Sequence, residues 1–299
     1  MKAYFIMSNL LTNKWHVIIP ASLGTSLAFY MCTRFLSCAN YNDTTKALKG
    51  FGKWQSFRIK KIEQLTTNTK KFTFELPSEK SVLGIKPVSF VLANVSRTWG
   101  PWNIRPYTPV SRIDDMGNFE LIVKHIPGGR VSGQFFRLKA DDSVSFMGPM
   151  LKYNWKPNTF EEVNLLCGGT GITPMFQLTR HILENPSDRT NVRLFYANKT
   201  ESDILLRQEL EDLKKKFPGR FLVHYYVEEG PIGNGISRGR ILKEDIKGSA
   251  TSNKAMFFLC GTDGFIDTYA GPKGVFGLQY SVGGILGNLG YKSSQVFRF

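Results

Sequence analysis

Cysteine is scarce in this chain, with four in 299 residues. A chain so long with so few cysteines is not a disulfide scaffold. The four His and four Cys are scattered without ligand spacing, so no metal site is expected. There is no glycine or proline period and no internal repeat of roughly 20 to 50 residues, which excludes collagen-like and solenoid architectures. No nucleophile elbow is present, so acyl-transfer chemistry on a serine has no support. The G-x-G-x-x-G fingerprint and the Walker lysine are missing as well. Acidic residues are in deficit: 24 Asp and Glu face 39 Lys and Arg, a net charge of +15 at pH 7. The basic residues are spread along the chain, and nothing resembles a zinc finger, a homeodomain or an RNA-recognition signature, so nucleic acid is not an expected partner. The charge reads as a generally basic surface, with an acidic protein partner or an anionic membrane as the next readings.

What is present is enough for a sizeable core. Hydrophobic residues make up 42% and charged residues 21%, which excludes a largely disordered or fibrous chain. At about 150 residues per domain, the length suggests two domains.

The N-terminus is a zone apart. The first acidic residue is Asp43, preceded by Lys2, Lys14 and Arg34. The stretch from Trp15 to Thr33 carries no Asp, Glu, Lys or Arg, and a spanning helix needs roughly 17–25 such residues. Trp15 and Tyr30 lie near its ends, where aromatic belts sit. Three readings compete: a single membrane anchor, a cleaved secretory signal without a tidy cleavage site, and a buried soluble helix. A leader without acids also suits a mitochondrial address. The leading division is a leader over 1–14, a transmembrane anchor over 15–36 and a polar linker over 37–50.

The body divides near residue 158. Between Trp54 and Trp155 lie short runs rich in β-branched and aromatic residues with turn punctuation, WQSFRIKKIEQL, TKKFTFEL, GNFELIVKHI and DDSVSFMGPM. Such spacing argues an antiparallel β-barrel or sandwich over 51–157. From 158 to 299 strands alternate with helices, which indicates a parallel α/β sheet. Within it, SDILLRQELEDLKKKFP reads as an amphipathic helix capped at Ser202 or Asp203 and ending before Pro218.

Three clusters carry chemistry. In RPYTPVS, residues 105–111, Arg105 offers a forked cation for a pyrophosphate, Tyr107 a flat face and Thr108 a hydroxyl. In LLCGGTGITPM, residues 165–175, glycines at a strand end let the backbone approach a phosphate, and the following helix N-terminus favours anions. In FFLCGTDGF, residues 257–265, a Cys-Gly pair closes a strand. Each also has a plainer reading: a Pro-flanked loop, a Gly-rich turn, and a buried cysteine in a core strand.

Taken together, with VKH-x-PGGRVS, DSVSFMGP, YANKTESDILLRQEL and a terminal VFRF, the sequence resembles the NADH–cytochrome b5 reductase family of ferredoxin-reductase-like flavoproteins. The resemblance covers about residues 51–299 and is nearest to fungal mitochondrial members. It implies an antiparallel β-barrel FAD-binding domain followed by a parallel-sheet α/β NAD-binding domain, with FAD and NADH as cofactors. It also implies an acidic haem protein of the cytochrome b5 type as acceptor and a single-pass mitochondrial membrane location, the outer membrane being favoured. Site residues carry over by motif. Arg105, Pro106, Tyr107 and Thr108, then Ile122 and Lys124, then Gly129, Arg130, Val131 and Ser132 face FAD, and Thr173 touches it too. Gly168, Gly169, Thr170 and Gly171 form the NADH turn. Cys260 and Gly261 lie on the nicotinamide side, with Phe299 as the terminal aromatic. Thr108, Lys124 and Cys260 are the implied catalytic positions. One departure stands out: Thr262-Asp263-Gly264-Phe265 replaces the prolines and methionine usual after Cys-Gly, which would set a carboxylate near an anionic cofactor. It motivates a rival reading, a reductase-like protein with impaired NADH use that acts as a mitochondrial interaction protein.

Overall fold

In the computed structural model, which describes residues 45–96, 100–247, 254–272 and 281–299, each of the runs read as a strand contains one. The first sheet has six antiparallel strands in the order β4-β3-β6-β1-β2-β5. They are β1 (Gly50–Thr66), β2 (Thr69–Glu75), β3 (Ser89–Asn94), β4 (Ile104–Tyr107), β5 (Asn118–Lys124) and β6 (Ser143–Leu151). Side chains alternate across a strand. One face therefore collects Phe57, Ile59, Phe72, Phe74, Phe119, Leu121, Val144 and Phe146, all buried.

That face closes on itself. In a flat sheet β6 and β5 would lie three strand spacings apart, roughly 14 Å. Instead the Phe119 and Phe146 ring centres are 5.3 Å apart. Just past β4, the Val110 N–H donates to the Glu120 carbonyl of β5 at 2.9 Å. The Glu120 N–H donates to Ser111 Oγ at 3.1 Å. The sheet therefore curls until its two edges meet. Strand β1 serves both sides of the curl, pairing with β6 up to Arg58 and with β2 from Ile59, with a bulge between Ile59 and Lys61. A bulge bends a strand and increases its twist. Helix α1 (Arg130–Arg137) covers the interior with Val131 and Phe135. Ala47 and Leu48, at the end of the stretch read as a linker, are also buried on this core.

The second sheet is parallel, in the order β10-β9-β8-β7-β11-β12. Its strands are β7 (Glu162–Gly168), β8 (Asn191–Asn198), β9 (Phe221–Val227), β10 (Ile236–Arg238), β11 (Ala255–Cys260) and β12 (Val296–Arg298). Strand β7 is buried from Glu162 through Cys167, as a central parallel strand covered on both faces must be. The helices are α2 (Ile172–Glu184), α3 (Arg207–Lys216), α4 (Lys243–Lys247), α5 (Asp263–Ala270) and α6 (Gly284–Asn288). Helix α2 is buried nearly all round because it lies between the two sheets. From it Arg180 donates to the Val110 carbonyl at 2.9 Å, and Glu184 accepts from Arg112 at 2.8 Å.

One helix boundary differs from expectation. The amphipathic helix begins at Arg207, not at Ser202 or Asp203, because Leu206 adopts a left-handed φ of 57° that ends any helical continuity. The acidic residues before it form a separate 3-10 turn, Glu201–Asp203, whose capping residue is Thr200. Among the described residues no helix is long and apolar enough to cross a membrane. The expected leader and span, residues 1–36, lie outside the described residues.

Phe74 is the centre of the first core: fully buried, with ring centres 5.0 Å from Phe119 and 4.9 Å from Phe146. Phe74→Ala should cost about 3–5 kcal/mol in urea unfolding. A loss below about 1 kcal/mol would show that the ring cluster does not hold the curl.

Candidate active site

The strand order reverses beside β7: β8 lies on one side and β11 on the other. In an open parallel sheet ligands bind outside the carboxyl ends of strands at such a switch point. In register, Cys167 of β7 lies beside Cys260 of β11, and Gly168 beside Ala197 of β8. The Phe299 N–H donates to the Leu259 carbonyl at 2.9 Å, which sets Phe299 next to Cys260.

The turn from β7 into α2 needs its glycines for two different reasons. Gly169 has φ +53° with open space where a Cβ would stand, so backbone conformation demands it. A Cβ on Gly171 would lie 2.2 Å from the Cys260 carbonyl oxygen, so there the close approach of the next strand end demands it.

Every residue named above for the site lines one cavity of about 980 Å³ between the two sheets. The first half contributes Arg105, Pro106, Tyr107, Thr108, Ile122, Lys124, Gly129, Arg130, Val131 and Ser132. The second contributes Gly168, Gly169, Thr170, Gly171, Thr173, Cys260, Gly261 and Phe299. Val88, Lys152, Asn198, Lys199 and Glu228 also line it and were not anticipated, and Thr262 and Phe265 of the unusual loop line it too. The carboxyl-end rule could have found Asn198, which ends β8, and Glu228, which follows β9; nothing local marks Val88 or Lys152.

The electrostatics suit anions. Arg105 donates to the Ile104 carbonyl at 2.8 Å and pairs with no carboxylate among the described residues. Helix α1 starts at Gly129 without a side-chain cap. The Ser132 hydroxyl accepts instead from the Ile126 N–H at 3.1 Å, so the first-turn N–H groups of α1 keep their anion-binding capacity. Burial pushes the Tyr107 phenol well above its ordinary range, against the pull of Arg105, so the ring is neutral. Burial likewise raises the Cys167 thiol, with Cys260 adding to the effect.

Lys124 is held across the seam by Asp203, at 3.3 Å. Burial works to raise the Asp203 carboxyl. Hydrogen bonds from the Thr200 hydroxyl (2.7 Å) and N–H (3.2 Å), with the Lys124 charge, outweigh it and hold the group below its ordinary 3.8. Glu201 is also committed, accepting from Arg207 and from the Gly233 N–H at 2.9 Å. The acid on the cavity wall is Glu228, which accepts from Arg240 Nε at 3.2 Å.

The unusual loop after Cys260 is also settled in place. Thr262 caps α5, accepting from the Phe265 N–H at 3.3 Å. Asp263 lies in the first turn of α5 and is exposed. That is a favourable site for a carboxylate, and the cavity is lined by Thr262 and Phe265 rather than by Asp263. The expected charge against the cofactor is therefore absent from the wall.

Two phosphate-compatible turns, an arginine without a carboxylate partner among the described residues, and a neutral aromatic ring around one large cleft fit a flavin dinucleotide and a nicotinamide dinucleotide. Residues 56–155 match the oxidoreductase FAD-binding domain family and residues 165–270 the oxidoreductase NAD-binding domain family. The fold and cleft thus define an oxidoreductase that binds FAD and NAD. NADH-cytochrome b5 reductase 2-B of Vanderwaltozyma polyspora is 43% identical over 287 residues, covering 94% of each chain. NADH-cytochrome b5 reductase 2 of Saccharomyces cerevisiae is 42% identical over 294 residues, covering 94% of this chain and 96% of that one. The crystal structure of the cytochrome b5 reductase domain of Ulva prolifera nitrate reductase superposes with a TM-score of 0.72 at 28% identity, over 85% of this chain and 100% of that one. The chain belongs to the NADH–cytochrome b5 reductase family, as an NADH-dependent flavoprotein reductase.

Two outcomes follow from this geometry. Gly169→Ala should lower stability by roughly 1–2 kcal/mol for the left-handed backbone alone, and Gly171→Ala by more, since backbone must move. Thermal melts of both variants check the order, and the reverse order contradicts the close approach. Because the Asp203 carboxyl is lowered on folding, its contribution is complete above the unfolded value and is lost as pH falls through the folded one. The Tm difference between wild type and Asp203→Asn should be largest at neutral pH and shrink below about pH 4. A difference that grows in acid rules out the Lys124 pairing.

Proposed function

We propose that this reductase carries electrons from NADH to a haem protein of the cytochrome b5 type, tethered to a mitochondrial membrane, the outer one by preference, through residues 15–36. The observation that carries the reading is the single cleft shared by both halves, with Arg105 and the α1 N-terminus on one wall and the Gly168–Gly171 turn on the other. A flavin held there would supply the hydride-accepting and one-electron-releasing chemistry.

The chain supplies binding, orientation and electrostatics. Arg105 and the N–H groups at Gly129–Ser132 hold the FAD diphosphate. Tyr107, neutral and edge-on to Phe135 at 5.1 Å, would offer its face to the flavin, and Thr108 would offer it a hydroxyl. Ile122, Lys124 and Thr173 border the same cofactor. The Gly168–Gly171 turn and the α2 N-terminus take the NADH phosphates. Cys260 and Gly261 receive the nicotinamide, with Phe299 beside them. Glu228 on the wall engages Arg240 at 3.2 Å, so that arginine is not free for a 2′-phosphate, and the carboxylate's other oxygen can accept a ribose 2′-hydroxyl, which favours NADH over NADPH. The net charge of +15 supports steering of an acidic acceptor, and the relatives' names support cytochrome b5 as that acceptor. The interaction-protein reading drew on Thr262 and Asp263; the cap that Thr262 gives α5 and the place of Asp263 in its exposed first turn account for them.

The purified protein should be yellow and should bleach anaerobically with NADH faster than with NADPH. Arg105→Ala removes a charge-assisted contact of about 1.5–3 kcal/mol, so flavin affinity should fall roughly ten- to hundredfold. Flavin content unchanged in that variant removes Arg105 from the diphosphate site. In mitochondria, the full chain should stay in the membrane pellet after alkaline carbonate extraction. Release into the supernatant removes the anchor.

A further inference from the structure

Strands β3 and β4 form a ladder in which Val91 lies opposite Tyr107 and Leu92 opposite Pro106. Continued two residues toward the cavity, the same register sets Ser89 opposite Pro109. The Lys152 N–H donates to the Val88 carbonyl at 2.9 Å, so the alternate residue Ser89 turns its own N–H and carbonyl away from β6, toward the β4 side. A pair at that position exchanges two N–H···O bonds, and proline has no N–H to give.

The side-chain amide of Gln177, from α2, stands in that place. Its Oε1 accepts from the Ser89 N–H at 3.1 Å, and its Nε2 donates to the carbonyls of Ser89 and Pro109, both at 3.3 Å. Gln177 is 3% exposed. One primary amide does the work of a peptide unit inserted between two strands. Only an amide can: a carboxylate would face two carbonyls, and an aliphatic chain would leave Ser89 unbonded.

Both strands line the cavity immediately beyond this insertion, through Ser89 and Phe90 on one side and Tyr107 and Thr108 on the other. The neighbouring Val88 is 1% exposed and has φ +57°, an uncommon conformation for a β-branched residue. Such backbone persists only when its surroundings fix it. Here Lys152 holds the carbonyl of Val88, and Gln177 holds the residue that follows.

We propose that Gln177 is a positioning residue for hydride transfer: a wedge from the nucleotide-binding half that holds β3 and β4 apart and so sets the width of the flavin-side wall. The proposal rests on the reading that this cavity holds the flavin. It makes stability and function separable. If the wedge is removed and Pro109 is replaced by a residue with an N–H, the ladder can close across the gap.

The test compares wild type, Gln177→Met, Pro109→Ala and the double variant as full-length protein. The readouts are Tm, flavin content and the stopped-flow rate of flavin reduction by NADH. Gln177→Met should lower Tm and slow reduction roughly ten- to hundredfold, as misplacement of reacting groups does. In the double variant Tm should return toward wild type while flavin content and reduction rate fall below those of Gln177→Met. Recovery of Tm and function together would mean a purely structural role and would overturn the proposal, as would a wild-type reduction rate in Gln177→Met. If Gln177→Met does not accumulate as folded protein, Gln177→Glu decides. It keeps the length of the wedge and the bond from the Ser89 N–H but sets a carboxylate against the carbonyls of Ser89 and Pro109, so reduction by NADH should slow while flavin is retained, and a wild-type rate overturns the wedge. A wild-type protein without flavin defeats the underlying reading instead, and it does so before any variant is compared.

Discussion

The approach of Gly171 to the end of β11 leaves no room for even a methyl group, and the geometry of the cleft depends on it. Two turns, one leaving β7 and the other leaving β11, are pressed together at the point where strand order reverses. Helix α2 starts at the first of these turns, so its direction is fixed by the same contact. The other end of that dependence is the first sheet, which α2 reaches through Gln177, Arg180 and Glu184. These recur at helical spacing and so share one side of the helix. A displacement at the glycine would be carried along a rigid helix to the wall opposite.

Much of this was legible in the sequence because the signals are local. The apolar alternation of TKKFTFEL and NFELIVK gave strands, and LLCGGTG gave a strand ending in a Gly-rich turn. The motif residues from Arg105 to Phe299 could be named because their motifs match those of the family the sequence resembles; the Pro-flanked loop and the Gly-rich turn by themselves left a plainer reading open. What stayed hidden depends on contacts between distant segments. The left-handed Leu206 carries no glycine or asparagine to announce it. Glu201 and Asp203 look alike as acids near a strand end. One is spent on Arg207 and Gly233 and the other on Lys124, partners up to 79 residues away. Pro109 reads as a stiff loop residue, and only the register of β3 against β4 shows it as the residue that cannot close a ladder.

The two halves differ in how they meet the demand for burial. The first sheet curls around a cluster of phenylalanines and needs only one short helix to complete its interior. The second stays open and is covered on both faces, by α2 and α3 on one side and by α5 and α6 on the other. An open sheet keeps its strand ends accessible in a row, and a curled sheet presents a convex wall. The cleft is the space between a row of ends and a wall, so neither half encloses it alone.

The ion pair between Lys124 and Asp203 gives the seam a resident counter-ion. An anion arriving at Lys124 does not meet a bare ammonium; it meets a pair whose charges already cancel, in which Thr200 also holds the carboxylate. The ammonium has further N–H groups to offer, so that corner orients a neighbour by hydrogen bonds more than it attracts one by charge.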